Sequence, residues 1–158
     1  MSAELLPFEE VGREMTPAEG RAAVLKLEAA MRAMPERQVQ LKVTHHFAPG
    51  VYMRELFIPK GVTLTGKVHK TEHLNILSQG KLKVMTESGV KLLTASTVIK
   101  SQPGIKRAGY AIEDSVWITV HANPLGETDP EKLESILTAE TFEEAKLIEG
   151  DSACRSLP

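Results

Sequence analysis

The chain has 158 residues, which is the size of one ordinary domain and too short for two full ones. Hydrophobic residues make up 42% and charged residues 25% of it, which is typical of a globular protein and excludes a collagen-like or disordered chain. The formal net charge of −2 excludes a global attraction to nucleic acid or anionic lipid, so any site for an anion must be local.

Cysteine content and the N-terminal sequence indicate the compartment. The single cysteine, Cys154, cannot form an intramolecular disulfide, so no oxidising compartment is required. Acidic residues stand where a secretory signal carries basic ones, and no segment approaches the ~20 apolar residues of a membrane-spanning helix. We therefore expect a cytoplasmic protein that does not cross a membrane and that, with 4% aromatic residues to stack on bases, does not bind nucleic acid.

The first predicted element is a helix that follows an irregular arm, residues 1–15. Thr16 and Glu19 have the spacing of a capping box, and Pro17 suits the first helical position. Apolar side chains then recur at spacings of three and four, namely Val24, Leu27, Met31 and Met34. The pattern predicts an amphipathic helix that stops at Pro35.

From Gln38 the apolar period changes to two, which is typical of a strand with one buried face. Turn residues such as Pro49-Gly50, Gln79-Gly80 and Pro103-Gly104 then separate further short segments of the same kind. The predicted strands are 39–47, 51–58, 62–69, 73–78, 81–86, 90–93, 97–101, 108–112 and 116–122. Short strands in succession without a helix between them predict an antiparallel sandwich or barrel.

Two helices are predicted after the strands. Asp129 suits the cap of the first of them, and Thr141 with Glu144 forms a second capping box. We therefore divide one folding unit into an arm and helix (1–36), a β core (37–123) and C-terminal helices with a tail (124–158). The apolar stripes of the terminal helices either pack on the core or form the interface of a homodimer. Their residues are Leu27, Met31 and Met34 at the N-terminal end and Leu133, Ile136 and Leu137 at the C-terminal end.

The densest polar cluster is the segment 67–75, which interrupts two otherwise apolar strands. Strand alternation places five of its side chains on one face, namely Lys67, His69, Thr71, His73 and Asn75. Such a face is either a solvated strand surface or, if it points into the mouth of a barrel, a binding site.

The stretch from Gly61 to Gly80 resembles the first motif of the cupin superfamily, which reads Gly, five residues, His, one residue, His, three or four residues, Glu, six residues, Gly. Both glycines match, and the inner positions fall on Lys67, His69 and His73. The second cupin motif is recognisable in 96–111, where Arg107 stands at the position of its last His. The resemblance implies a mainly β, cupin-like antiparallel jelly-roll barrel, here with an N-terminal helix and C-terminal helices.

The core also resembles uncharacterised, phage-associated cupin-like proteins, with the stretches HKTEHLNI and PGIKRAGYA followed by a last strand that contains Trp117. This resemblance implies no particular activity. It suggests a structural role in a phage-like particle or complex, with phage structural partners, and a location in the host cytoplasm or the virion.

The first hypothesis for the polar cluster is a metal site. Neutral imidazoles and carboxylates bind divalent zinc, iron, nickel or manganese, and His69 and His73 supply two nitrogens. The third ligand would be Glu72, His121 or His45. Against a metal, Lys67 and Arg107 stand at the family's ligand positions and would repel a divalent ion.

The second hypothesis is a pocket for a small polar or anionic ligand, because guanidinium and ammonium groups bind phosphate and carboxylate. The candidate residues are Lys67, His69, His73, Asn75, Arg107 and Tyr110, with Lys106 beside Arg107. The alternative is that Lys106 and Arg107 belong to a solvated turn.

The preferred function is a small cupin-like protein that binds such a ligand, with or without a histidine-bound metal. The alternatives are the structural component described above and a metal-dependent enzyme. In the enzyme, Glu72 or a free histidine would move a proton.

Overall fold

The computed structural model describes residues 6–149, and the C-terminal tail with Cys154 lies outside them. The α-helices are α1 (Leu6–Glu9), α2 (Pro17–Arg32), α3 (Pro130–Leu137) and α4 (Phe142–Glu149), and Pro35–Arg37 forms a 3-10 turn. The strands are β1 (Lys42–Ala48), β2 (Gly50–Ile58), β3 (Thr63–Thr65), β4 (Val68–His69), β5 (His73–Gln79), β6 (Lys81–Thr86), β7 (Gly89–Thr94), β8 (Thr97–Ser101), β9 (Ala108–Ala111), β10 (Ser115–Asn123) and β11 (Thr138–Ala139).

Nine of the eleven described strands form two antiparallel sheets that pack face to face, and β4 and β11 form a separate two-stranded sheet. One sheet has the order β1-β2-β10-β5-β8 and the other has the order β3-β9-β6-β7. The main apolar core lies between them, with Leu56 and Leu77 from the first sheet and Leu82, Val84 and Ala111 from the second. The predicted fold class, a mainly β antiparallel jelly roll with helices at both ends, is confirmed.

Two glycines of the sequence motif lie at turns that require them. Gly61 and Gly80 have φ angles of +84° and +86°, a conformation that only glycine adopts without strain. At Gly80 a Cβ atom would also lie 2.3 Å from the carbonyl oxygen of Asp114. The glycine spacing therefore reflects the turns that begin and end this part of the sheet.

The predicted strand 62–69 is divided in the structure. At Gly66 the chain leaves the sheet, where its N–H donates to the carbonyl of Arg107. β4 then pairs with β11, because Val68 is fully buried against Ala139 and Phe142 of the C-terminal segment. The prediction of a single strand was wrong, since burial of Val68 and the pairing with β11 depend on a distant segment.

The predicted arm, residues 1–15, also contains regular structure. α1 lies within it, and Phe8 is only 1% exposed because it packs against Val24 and Met85. Farther along, the N–H of Gly12 donates to the carbonyl of Val90 at the edge of the second sheet. The arm therefore covers an edge that would otherwise expose unpaired backbone groups.

The terminal helices bury part of their apolar stripes within the chain. Leu27 packs with Val24 against the second sheet, and Leu133 and Leu137 pack against Tyr52 of the first. The predicted capping box is present, since Thr16 Oγ1 accepts from the N–H of Glu19 at 3.3 Å. Leu27, Leu133 and Leu137 therefore belong to the core, whereas Ile136 of the same stripes is 48% exposed. None of the helices within residues 6–149 is long and apolar enough to span a membrane.

Candidate metal-binding site

The inner face of the five-stranded sheet is apolar at one end and polar at the other. In the apolar part, Leu56, Trp117 and Leu77 lie side by side on β2, β10 and β5. The next inward row contains Arg54, Thr119 and Asn75, and the row after that places Tyr52 opposite His121. Strand alternation therefore gathers polar side chains at the end of the sheet where β4 crosses.

Three histidines come together at this polar end. His69 is on β4, His73 begins β5, and His121 is near the end of β10. Their ring centroids are 4.1 Å apart for His69 and His73, 4.9 Å for His73 and His121, and 5.4 Å for His69 and His121. One nitrogen from each ring lies within 4.8 Å of the other two. We call these residues the three-histidine cluster.

The hydrogen bonds of the cluster leave ring nitrogens available. The Nδ1 atom of His73 lies 2.8 Å from the carbonyl oxygen of Thr71. Because a carbonyl only accepts, Nδ1 of His73 donates and its Nε2 keeps a lone pair when the ring is neutral. The Nδ1 atoms of His69 and His121 are buried and have no hydrogen-bond partner among the described residues. Buried polar atoms without a hydrogen-bond partner are rare in proteins, and an unpaired imidazole nitrogen can coordinate a metal ion.

Burial keeps the three rings neutral. Loss of solvent, followed by the charges of His73 and His121, lowers the pKa of His69 to about 3. Burial, with the charge of His73 as the next cause, lowers the pKa of His121 to about 4, and burial also lowers the pKa of His73. At neutral pH the cluster therefore offers imidazole lone pairs without a proton to displace, which is the form that metal ions bind. The donor set and the unpartnered nitrogens fit a metal ion.

Arg107 lies beside the cluster in a chain of hydrogen bonds. Its Nη1 donates to Ser101 Oγ at 2.5 Å, and Asn75 Nδ2 donates to the same oxygen at 2.8 Å. Thr119 Oγ1 donates to Asn75 Oδ1 at 3.1 Å. Burial lowers the pKa of Arg107, and its Nε atom is buried without a partner within residues 6–149. The structure thus places Asn75 and Arg107 next to the histidines.

Lys67 and Glu72 lie elsewhere, although the sequence placed them with the histidines. Lys67 precedes β4 and pairs with Glu134 and with Glu140, the latter at 2.5 Å. Glu72 lies in the loop before β5, where its carboxylate pairs with Lys100 at 2.5 Å and is half exposed. The predicted alternation of side chains between two faces does not extend over the whole of 67–75, because residues 70–72 form a loop between two strands.

Tyr110 and Lys106 also face away from the cluster. Tyr110 packs on the outer side of the second sheet, with its ring centroid 6.1 Å from that of Phe8. Lys106 is not in a solvated turn, because its side chain is 1% exposed and its Nζ lies 2.8 Å from Glu28 Oε1 of α2. Both residues therefore fasten the N-terminal segment to the sheet.

Of the third ligands considered from the sequence, the structure brings only His121 to the pair of His69 and His73. His45 is on β1, where its Nδ1 lies 2.8 Å from the hydroxyl of Tyr52. Sequence reasoning missed Arg54, which lies on the inward side of β2 between Tyr52 and Leu56. The sequence contained a signal for Arg54, because strand alternation in the 51–58 segment places this cation on the same face as apolar residues.

Several solved structures resemble this chain. KdgF from Halomonas sp. has 17% identity and a TM-score of 0.46, covering 58% of this chain and 82% of KdgF. A cupin superfamily protein from Desulfitobacterium hafniense has 11% identity and a TM-score of 0.46, covering 54% and 80%. A Cupin 2 conserved barrel domain protein from Salinispora arenicola has 13% identity and a TM-score of 0.46, covering 58% and 86%. No protein-family model and no curated protein sequence matches the chain.

Proposed function

We propose that this protein binds a divalent transition metal through His69, His73 and His121, and with it a small polar or anionic ligand. The observation that carries the proposal is the three-histidine cluster itself. It combines nitrogens within 4.8 Å of one another with two buried Nδ1 atoms that have no partner in the described chain. The proposal covers zinc, iron, nickel and manganese, and neutral imidazoles suit the first three best.

Residues around the three-histidine cluster orient one of its rings and place further polar groups beside it. The carbonyl of Thr71 orients the ring of His73, which is the usual role of an outer partner of a ligating histidine. Asn75 and Thr119 continue the polar inner face away from the histidines. A metal in such a site acts as a Lewis acid toward an oxygen atom of the ligand. Glu72 does not support the proton-transfer role considered from the sequence, because its carboxylate is bound to Lys100.

Metal titration tests this proposal. We expect purified, metal-stripped protein to bind about one equivalent of Co²⁺ with a visible absorption band and a rise in melting temperature. Replacement of one ligand, His121→Ala, should weaken binding at least ~100-fold, because even outer partners of metal ligands contribute 10- to 100-fold. The double variant His69→Ala with His73→Ala should bind no stoichiometric metal.

The matched control is His46→Ala, since His46 lies on the opposite face of β1 and pairs with Glu55 at 3.1 Å. That variant should bind Co²⁺ as the unmodified protein does. Equal Co²⁺ binding by the double variant and the control, or no stoichiometric metal in the unmodified protein, would remove the metal from the proposal.

A second proposal concerns assembly, and it rests on the outer face of the five-stranded sheet. Exposed apolar side chains lie on this face, namely Val51, Phe57, Leu74 and Val98, with exposures between 36% and 63%. Half-buried apolar residues lie between them on the central strands, namely Met53, Ile76, Val116, Ile118 and Val120. Contiguous apolar surface of this kind is uncommon on monomers and marks interfaces.

The dimensions of the outer face fit a second copy of the chain. Its five strands have between five and nine residues each. At ~3.4 Å per residue and ~4.8 Å between strands, the face covers about 600 Å², which approaches the ~800 Å² that each partner buries in a standard interface. We therefore propose a homodimer through this face instead of through the terminal helices. The suggestion of a phage-like particle rests on the sequence resemblance alone.

The oligomer proposal is tested by molar mass in solution. We expect the protein to sediment as a dimer and Leu74→Glu to halve its molar mass, because the charge would be buried without a partner. Leu92→Glu is the control, since Leu92 is a 48% exposed leucine on β7 of the other sheet. A monomeric unmodified protein, or a dimer that Leu74→Glu leaves intact, would contradict this interface.

A further inference from the structure

Arg54 is a cation on the inner face of the sheet that no described residue neutralises. It lies on β2 opposite His45 on one neighbouring strand and Thr119 on the other. Within residues 6–149 it makes no hydrogen bond or ion pair, although its side chain is half-buried. A cation withdrawn from water is normally paired with an anion, because desolvation is costly.

Arg54 and Arg107 flank the three-histidine cluster from two sides. Arg54 belongs to the side of β2, where Tyr52 stacks on His121 with centroids 6.2 Å apart. Arg107 belongs to the side of β8, where it donates to Ser101, the residue opposite His73. The charge of Arg54 contributes to the lowered pKa of both His69 and His121, which places it within electrostatic reach of the cluster. Two guanidinium groups and three neutral imidazoles give the site a net positive charge.

The two arginines differ in how much of the guanidinium group is free to bind a ligand. Arg107 uses Nη1 on Ser101 Oγ, and its Nη2 lies 4.0 Å from the carboxylate of Glu87. Arg54 has no such partner among the described residues, so both edges of its planar guanidinium group remain available. A guanidinium in this state binds a carboxylate with two parallel hydrogen bonds.

The row of side chains next to Arg54 limits where a ligand can lie. Leu56, Trp117 and Leu77 form the adjacent inward row and belong to the core between the two sheets, with Leu77 fully buried. A ligand held by Arg54 therefore lies toward the imidazoles, at the polar end of the inner face.

We infer that the site takes a small carboxylic acid in its anionic form, and that Arg54 pairs with the carboxylate. This inference rests on the proposed function in that it names the ligand class of the same site. Arg54 is the residue that selects an acid over a neutral molecule of the same shape. Arg107 adds positive charge and holds Ser101 and Asn75 in place.

Butyrate is the probe for this inference, with butyramide as the neutral molecule of the same shape and phosphate as a second anion. NMR titration of metal-loaded protein should give a dissociation constant for butyrate at least ~10-fold lower than for butyramide and no higher than for phosphate. Arg54→Gln should weaken butyrate binding at least ~10-fold, since a hydrogen-bonded charge is lost. Arg54→Lys should give an intermediate constant, because it restores the charge without the planar fork.

Arg32→Gln is the matched control, because Arg32 is 67% exposed on α2, and it should bind butyrate as the unmodified protein does. Co²⁺ titration of Arg54→Gln should still give one equivalent, which separates this inference from the metal proposal. If metal-free protein keeps the preference for butyrate, the inference holds whether or not the metal proposal does. Equal binding of butyrate and butyramide, tighter binding of phosphate, or an unchanged constant in Arg54→Gln would overturn the inference.

Discussion

Replacement of Glu28 by leucine is expected to lower the free energy of unfolding by about 3–5 kcal/mol, because it leaves a buried ammonium group without its partner. Lys106 is that group, with a side chain 1% exposed and its Nζ 2.8 Å from Glu28 Oε1. No other hydrogen bond or ion pair of Lys106 is present in the described part of the chain. The pair fastens α2 to the segment before β9, and urea unfolding would measure its contribution.

Three further variants separate the ion pair from other effects of changing Glu28. Lys106→Met should lower the free energy of unfolding less than Glu28→Leu does. The reason is that the carboxylate of Glu28, 16% exposed, keeps Arg32 as a partner, with Arg32 Nη2 3.4 Å from Glu28 Oε1. The double variant Glu28→Leu with Lys106→Met should recover much of the lost stability, since apolar residues often replace a buried pair at little cost. Arg32→Met tests an exposed pair and should cost at most about 1 kcal/mol. The explanation fails if Glu28→Leu costs no more than Arg32→Met.

Acid is expected to destabilise the metal-free protein by an amount that depends on the three-histidine cluster. Unfolded histidine has a pKa near 6.5, whereas the folded pKa is about 3 for His69 and about 4 for His121. Below pH 6.5 the unfolded chain therefore binds protons that the folded chain excludes. The stability present above pH 6.5 should fall as the pH is lowered toward 4, by on the order of 3 kcal/mol for each of these two histidines.

Urea unfolding at pH 7 and pH 4, in the presence of a chelator, would measure this loss. His69→Gln should lose less stability over the same interval, because it removes one group whose pKa differs between the folded and unfolded chain. His46→Gln, changed on the exposed outer face, should lose as much as the unmodified protein. Equal losses in all three proteins would show that the cluster does not govern acid stability.

The fold was largely predictable from the sequence because its signals are local. The strand bounds predicted for 81–86 and 97–101 are those of β6 and β8, since alternation and turn glycines act over a few residues. The helix that begins after Thr16 was likewise predictable from its cap. The division of 62–69 was not, because Val68 leaves the sheet to pack against residues some 70 positions later.

The candidate site was predictable only in part. The spacing of His69 and His73 singled out this segment, but the neighbouring Lys67 and Glu72 find partners in Glu134, Glu140 and Lys100. Ion pairs of this kind form between residues far apart in the chain. No local pattern could therefore have separated these charged residues from the histidines.

The sequence by itself determined that this protein is an antiparallel β structure with capped helices and a histidine pair at a strand end. Periodicity and turn chemistry carry that information, because they depend on backbone conformation at neighbouring residues. Only the tertiary structure decided that His121 joins the pair and that Arg54 faces the same space. Those placements follow from the pairing of β10 with β5 and β2, which is set by packing of the whole core.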